Sequence, residues 1–250
     1  MPLDVVDLRN FYTTPLGQTA RRLLGARLRK RWHHVAGESL LGLGYATPYL
    51  KPFREEALRT LAMMPAEQGV VHWPPPSEPS STALVDEYDL PLPGGSMDRV
   101  LCVHMLERTQ HPGDFLQEIW RVLGPGGRLL MVVPNRRGWW ARAESTPFGH
   151  GQPFSRPQLT HLLRESLFSP LNWSEALYMP PSNRGWINRS AALWERAGTL
   201  LSAPFAGVYI VEATKQVYSA VPVRATRRAT RLKPLLAPEG IASNRNRLFF

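Results

Sequence analysis

The sequence predicts an α/β fold, a mostly parallel seven-stranded sheet flanked by helices. Three observations lead there. Short apolar runs alternate with stretches of helical periodicity through the middle of the chain. At 250 residues, 43% of them hydrophobic, the chain can bury one sizeable core. The stretch "SLLGLGYATPYL", residues 39–50, is an apolar run closed by two glycines one residue apart and followed by residues able to open a helix. A strand, a glycine turn and a helix N-terminus in that order form a corner suited to an anionic ligand.

In chain order, "TARRLLGARLRKRW" places Ala20, Leu23, Leu24 and Leu28 at helical spacing, with its basic residues mostly on the other side. Strands are expected at Ser39 to Leu43, Thr60 to Met63, Thr82 to Val85, Arg99 to Val103 and Leu129 to Val133, then near Ser174 to Tyr178 and Val208 to Thr214. Helices are expected around Pro48 to Ala57, Pro112 to Leu123, Arg156 to Ser166 and Arg189 to Leu201. Thr47 is placed as the N-cap of the first of these, with Pro48 in its first turn, where a missing N–H costs nothing. "HWPPPSEPSS" holds too much proline for a helix or an inner strand and reads as a loop. In "GPGGR", Gly124 is expected to take a left-handed cap and Pro125 to stop the helix.

The net charge of +10 belongs to the ends. Residues 1–32 hold seven Lys/Arg and two Asp, residues 224–250 hold seven Lys/Arg and one Glu, and the remaining 191 residues have a net charge of −1. The expected organisation is a basic N-terminal helical extension (1–35), an α/β domain (36–223) and a basic, disordered tail (224–250). The basic ends are either solvated faces or a site for an anionic partner; nucleic acid is not expected. No apolar run reaches the roughly 18 to 20 residues of a membrane span. The single cysteine, Cys102, excludes a disulfide within the chain, suits a cytoplasmic setting and reads as a buried, inert thiol. The seven histidines lack metal-ligand spacing, so no metal site is expected.

The stretch Ala83 to Asn135 is the most specific. It contains Asp86, "LPLP" at 90–93, "MD" at 97–98, "HMLE" at 104–107, "LQEIWRVLGPGG" at 116–127 and then "RLLMVVPN". In that order these resemble the second half of a class I S-adenosylmethionine-dependent methyltransferase domain of the small-molecule "type 11" kind, with its Rossmann-like fold. More loosely, the resemblance runs from about Glu38 to Phe168. It implies S-adenosylmethionine as cofactor and a small-molecule acceptor.

Carried onto this sequence, the resemblance implies cofactor contacts at Gly42, Gly44, Tyr45, Met63, Asp86, Glu87 and His104. Two family acids are absent. Gly42 stands where the first strand normally carries one, Ala46 and Pro48 replace two glycines, and Ala62, Met63 and Met64 occupy the tip of the second strand, where an acid grips the ribose. Glu38 lies four residues back, roughly 13 Å along a strand, and cannot substitute. Asp86 reads either as a cofactor contact at the carboxyl end of a parallel strand or as the cap of a turn. Met63 and Met64 read as adenine packing or as plain core. His104 is the candidate catalytic base, or a residue stacking near the cofactor. Glu107 and Arg121 are either a pair or two solvated charges. The loop "PNRRGWWARAESTPFGHGQPFS" offers Asn135, Arg136, Arg137, Trp139, Trp140 and His150 as a substrate lid, or as a segment pinned by its tryptophans. Three functions stay open: a methyltransferase, a catalytically degenerate domain serving as a binding module, and a binder acting through its basic ends.

Overall fold

A computed structural model of the chain describes residues 3–74, 77–200 and 205–217. Two helices, α1 (Val5–Thr13) and α2 (Pro15–Arg31), precede strand β1 (Ser39–Gly44), helix α3 (Thr47–Arg54), and strands β2 (Arg59–Pro65), β3 (Thr82–Val85) and β4 (Met97–Val103). Helix α4 (Pro112–Val122), strand β5 (Leu123–Pro134), helix α5 (Arg156–Glu165), strand β6 (Phe168–Ala176), helices α6 (Gly185–Arg189) and α7 (Ala191–Leu200), and strand β7 (Val208–Lys215) follow.

The seven strands form one sheet in the order β3-β2-β1-β4-β5-β7-β6. All pairings from β3 through β5 are parallel, and β7 runs antiparallel to both its neighbours. Period-two alternation sorts the strand side chains onto two faces. Leu40, Leu101, Val103, Leu130, Val132 and Ile210 pack toward α1, α2 and α3; Leu41, Leu43, Val100, Leu129 and Met131 pack toward α4 and α5. In α2 the expected stripe holds, with Ala20, Leu24 and Leu28 buried in the same core as the sheet and Leu23 half-buried beside it.

Several local expectations are corrected. Helix α1 falls within the expected N-terminal helical extension, whose only periodicity read from the sequence is that of α2. Thr47 is the first residue of α3 and makes no capping bond; Ala46 occupies the N-cap position. Gly126 (φ +73°), and not Gly124, takes the left-handed region, and β5 already begins at Leu123. Strand β6 starts at Phe168, six residues before the expected Ser174, and tolerates Pro170 because it is the sheet edge, with a register shift at that proline. The helix expected around Arg189 to Leu201 is α7, and a short helix the sequence did not announce, α6, precedes it, the two meeting at Ser190, whose hydroxyl donates to the Trp186 carbonyl. The tail expected over residues 224–250 lies outside the described residues. No helix among the described residues is long and apolar enough to cross a membrane.

Candidate functional site

Strand order reverses between β1 and β4, and in open α/β sheets ligands bind above the carboxyl ends of the strands at such a switch. Here β1 ends at Gly44 (φ +70°), paired with Val103 of β4. A Cβ on Gly44 would lie 2.4 Å from the Val103 carbonyl oxygen, so the close approach of the two strands demands glycine. At Gly42 a Cβ would meet the Leu50 side chain at 2.7 Å and Ala46 Cβ at 2.9 Å. Leu50 therefore fills the place a side chain on residue 42 would need, which explains why the turn has no acid there. Tyr45 donates its N–H to the Val103 carbonyl (2.8 Å), which ties the turn to the tip of β4.

Helix α1 lies across the top of this turn. Its first residue donates from Val5 N to the Gln68 carbonyl beyond β2 (2.7 Å). Its last turn drives Tyr12 into the crevice, where the ring stacks on Tyr45 (centroids 5.6 Å apart, planes at 19°). The Tyr12 hydroxyl lies 2.9 Å from the Tyr49 hydroxyl and 2.8 Å from His104 Nε2. Burial pushes the Tyr12, Tyr45 and Tyr49 phenols up, so these three hydroxyls stay protonated at physiological pH. His104 stands at the end of β4 with φ +54°, is buried, and packs against Phe148 (ring centroids 4.6 Å). Its Nδ1 faces Glu107 Oε1 at 3.5 Å. A carboxylate can only accept, so a proton on Nδ1 toward Glu107 leaves Nε2 as acceptor for the Tyr12 hydroxyl.

Gln68, Glu107 and Arg108 each carry buried polar atoms without a hydrogen-bond partner among the described residues. Neither Glu107 carboxylate oxygen, neither polar atom of the Gln68 amide, nor Arg108 Nη1 has a hydrogen bond. Burial also presses the Arg108 guanidinium below its usual range. Buried polar groups without hydrogen-bond partners are costly. At the tip of β3 lies a cleft of about 430 Å³ bordered by Glu67, Asp86, Glu87, Tyr88, Arg108 and His111. Asp86 Oδ1 accepts from Tyr88 N (2.8 Å), so this residue caps the turn and lines the cleft at once.

Gly44, Tyr45 and His104 meet above β1 and β4, while Asp86 and Glu87 border the cleft at the tip of β3. Met63 and Met64 are buried in the two core layers. Glu107 does not meet Arg121, which is bound to Glu118 (2.6 Å) and to the carbonyls of Leu90 and Leu92. Within the long loop, Asn135 is buried and donates to the Ala206 carbonyl, and Trp140 is buried and donates to the Met179 carbonyl. Trp139 stacks on Phe205, Arg136 donates to the Pro153 carbonyl, and His150 Nε2 lies 2.7 Å from the Glu144 carbonyl. Arg137 donates its N–H to Asn135 Oδ1. The loop reaches the crevice through Phe148, on His104, and through Gly151, where a Cβ would fall 2.2 Å from the Glu107 carbonyl oxygen. Tyr12, Tyr49, Gln68 and Arg108 escaped the sequence reading, and Glu107 entered it only as a partner for Arg121. Cys102 is buried, and burial pushes its thiol well up. No group of three or more His, Cys, Asp or Glu side chains among the described residues could hold a metal ion.

Residues 42–131 match the family model described as a methyltransferase domain. A protein of Mycolicibacterium smegmatis named a "probable S-adenosylmethionine-dependent methyltransferase" is 34% identical over 82 residues, which are 32% of each chain. The chain therefore spans about a third of the length of that curated relative. Among solved structures, an S-adenosylmethionine-dependent methyltransferase from Archaeoglobus fulgidus superposes with a TM-score of 0.56 at 15% identity, over 78% of this chain and 94% of that one. The [4+2]-cyclase SpnF superposes with a TM-score of 0.54 at 21% identity, over 81% and 83%. A cyclase on this architecture shows that the fold alone does not fix the reaction. The family-model match and the strand order agree: residues 42–131 resemble a methyltransferase domain, set in a seven-stranded, mostly parallel α/β sheet of the kind found in S-adenosylmethionine-dependent methyltransferases.

Proposed function

We propose that the domain transfers a methyl group from S-adenosylmethionine to a small-molecule acceptor, with His104 taking the acceptor's proton. The observation that carries this reading is the buried His104–Glu107 pair at the tip of β4, whose carboxylate has no hydrogen bond and whose imidazole Nε2 already faces a hydroxyl, that of Tyr12.

The residues present suit the cofactor unevenly. Over β2, β3 and β4 they suit the adenosine portion: Asp86, Glu87 and Tyr88 border an open cleft, and the unpaired Gln68 amide lies just beyond β2, one residue past Glu67. Over β1 they do not suit the methionine portion as they stand, because no carboxylate is available and Tyr12 and Tyr49 fill the turn. Full occupation would require α1 to withdraw Tyr12. The bound cofactor would supply an electrophilic methyl group. Once an acceptor hydroxyl or amine replaces the Tyr12 phenol, Nε2 accepts its proton, and the Glu107 carboxylate on the Nδ1 side stabilises the imidazolium. The loop bearing Asn135, Arg136, Trp139 and His150 would serve as the wall above, held to the crevice by Phe148 and Gly151. A lone, buried Cys102 is consistent with work in the cytoplasm.

Isothermal titration of S-adenosylhomocysteine into the wild-type chain and into Tyr12→Ala tests this. Binding by both, tighter in Tyr12→Ala, supports the enzyme. Binding of adenosine but of no S-adenosylhomocysteine by either protein supports the second reading, a binding module whose methionine end is permanently filled by Tyr12.

A further inference from the structure

A second cleft, of about 930 Å³, lies between α1, the first turns of α3 and the loop beyond β2. Four cations border it: Arg9, Arg21, Lys51 and Arg54. Arg54 is committed to Glu78 by a bidentate pair, and Glu55 is the other acid on the border. Arg9, Arg21 and Lys51 have no ion pair or side-chain hydrogen bond among the described residues. Both Arg9 and Arg21 act on the Tyr45 phenol and draw it down against the effect of burial, so both guanidinium groups bear on the cleft floor that Tyr45 and Tyr12 form. The opposite wall is apolar, with Val70, Val71 and Trp73.

Three cations converging on one concavity repel each other unless an anion sits between them, and a concave site concentrates their field. Guanidinium groups match the planar oxygens of carboxylate and phosphate, while the apolar wall suits a ring or short chain. We infer that this cleft binds a small organic anion, its carboxylate or phosphate held by Arg9, Arg21 and Lys51 and its apolar body lying against Val71 and Trp73. Resting on the function proposed above, that anion is the acceptor class: Tyr12 is the wall shared by this cleft and the His104 crevice, and its withdrawal joins the two.

The test uses the full chain without cofactor, titrated with benzoate, phenyl phosphate and uncharged benzyl alcohol by isothermal calorimetry. The expected result is binding of at least one anion tenfold or more tighter than benzyl alcohol. Arg21→Ala and Lys51→Ala should each weaken that binding at least fivefold, and Arg164→Ala, on the far side of the sheet, should leave it unchanged. Benzoate ahead of phenyl phosphate identifies a carboxylate ligand, and the reverse order a phosphate. Equal binding of all three probes, no binding by any, or indifference to Arg21→Ala and Lys51→Ala overturns the inference. Because cofactor is absent, that failure leaves the methyltransferase reading standing, and a failure of S-adenosylhomocysteine to bind leaves the anion site standing.

Discussion

Tyr12, carried by α1, and His104, at the tip of β4, are joined by a 2.8 Å hydrogen bond above the carboxyl ends of β1 and β4. The N-terminal helical segment is therefore part of the candidate site, because its phenol occupies the Nε2 side of the His104 imidazole.

Tyr12→Phe keeps the ring but leaves both the Tyr49 hydroxyl and His104 Nε2 without this partner. Loss of two buried hydrogen bonds should lower stability by about 1–3 kcal/mol. Urea denaturation checks it: the midpoint should fall while the slope stays constant.

Gly44→Ala should cost more. The substituted residue must hold φ +70° with its Cβ 2.4 Å from a backbone oxygen, so strand separation and strain combine. A loss of roughly 2–4 kcal/mol is expected from strain and steric overlap, again read from the denaturation midpoint. Full stability in this variant would mean that the β1–β4 approach is looser than described.

The sheet and the second half of the crevice were legible in the sequence because they rest on local signals. Apolar runs such as "RVLCVHML" and "RLLMVVPN" mark buried parallel strands, and Asp86 sits where a strand ends. Strand β6 was displaced because Pro170, Asn172 and Ser174 break the apolar pattern that an edge strand does not need. What stayed illegible was long-range. Nothing local to "DLRNFYTT" says that Tyr12 will reach His104, 92 residues away, since that contact depends on how α1 packs over the finished sheet. Gln68 went unread for the same reason: its burial follows from the Val5 hydrogen bond that closes α1 over the β2 loop. Leu50 behind Gly42 could have been found, since residues eight apart across a strand–turn–helix corner often meet, but only with the turn geometry in hand.

Cys102 should resist modification. Burial raises its thiol, so at neutral pH it is protonated as well as inaccessible. Iodoacetamide or a disulfide reagent should label the native chain slowly and the urea-unfolded chain at once; rapid native labelling would place Cys102 outside the core.

Glu195 supplies a pH dependence. Burial raises its carboxyl, although Tyr178 N donates to Oε1 (2.8 Å) and Arg27 lies 3.5 Å from Oε2. The folded state therefore holds this proton more tightly than the unfolded chain. Its contribution to stability is present below the ordinary glutamate range and is lost as pH rises through the raised folded value. Glu195→Gln keeps an acceptor for Tyr178 N and removes the ionisation, so that decline should be absent from the variant and should appear in the difference between wild-type and variant melting curves across pH 4 to 8. An unchanged profile would mean that Arg27 offsets the burial in full.

Hydrogen exchange of the full chain with and without S-adenosylhomocysteine tests the central claim, that the crevice over β1 to β4 is the cofactor site and that α1 closes it. Slower exchange is expected in residues 66–68, 86–88 and 104–108 and, in the same experiment, faster exchange over Val5–Thr13 as Tyr12 gives way. Protection confined to other segments, or no change in any of these at saturating ligand, would contradict it.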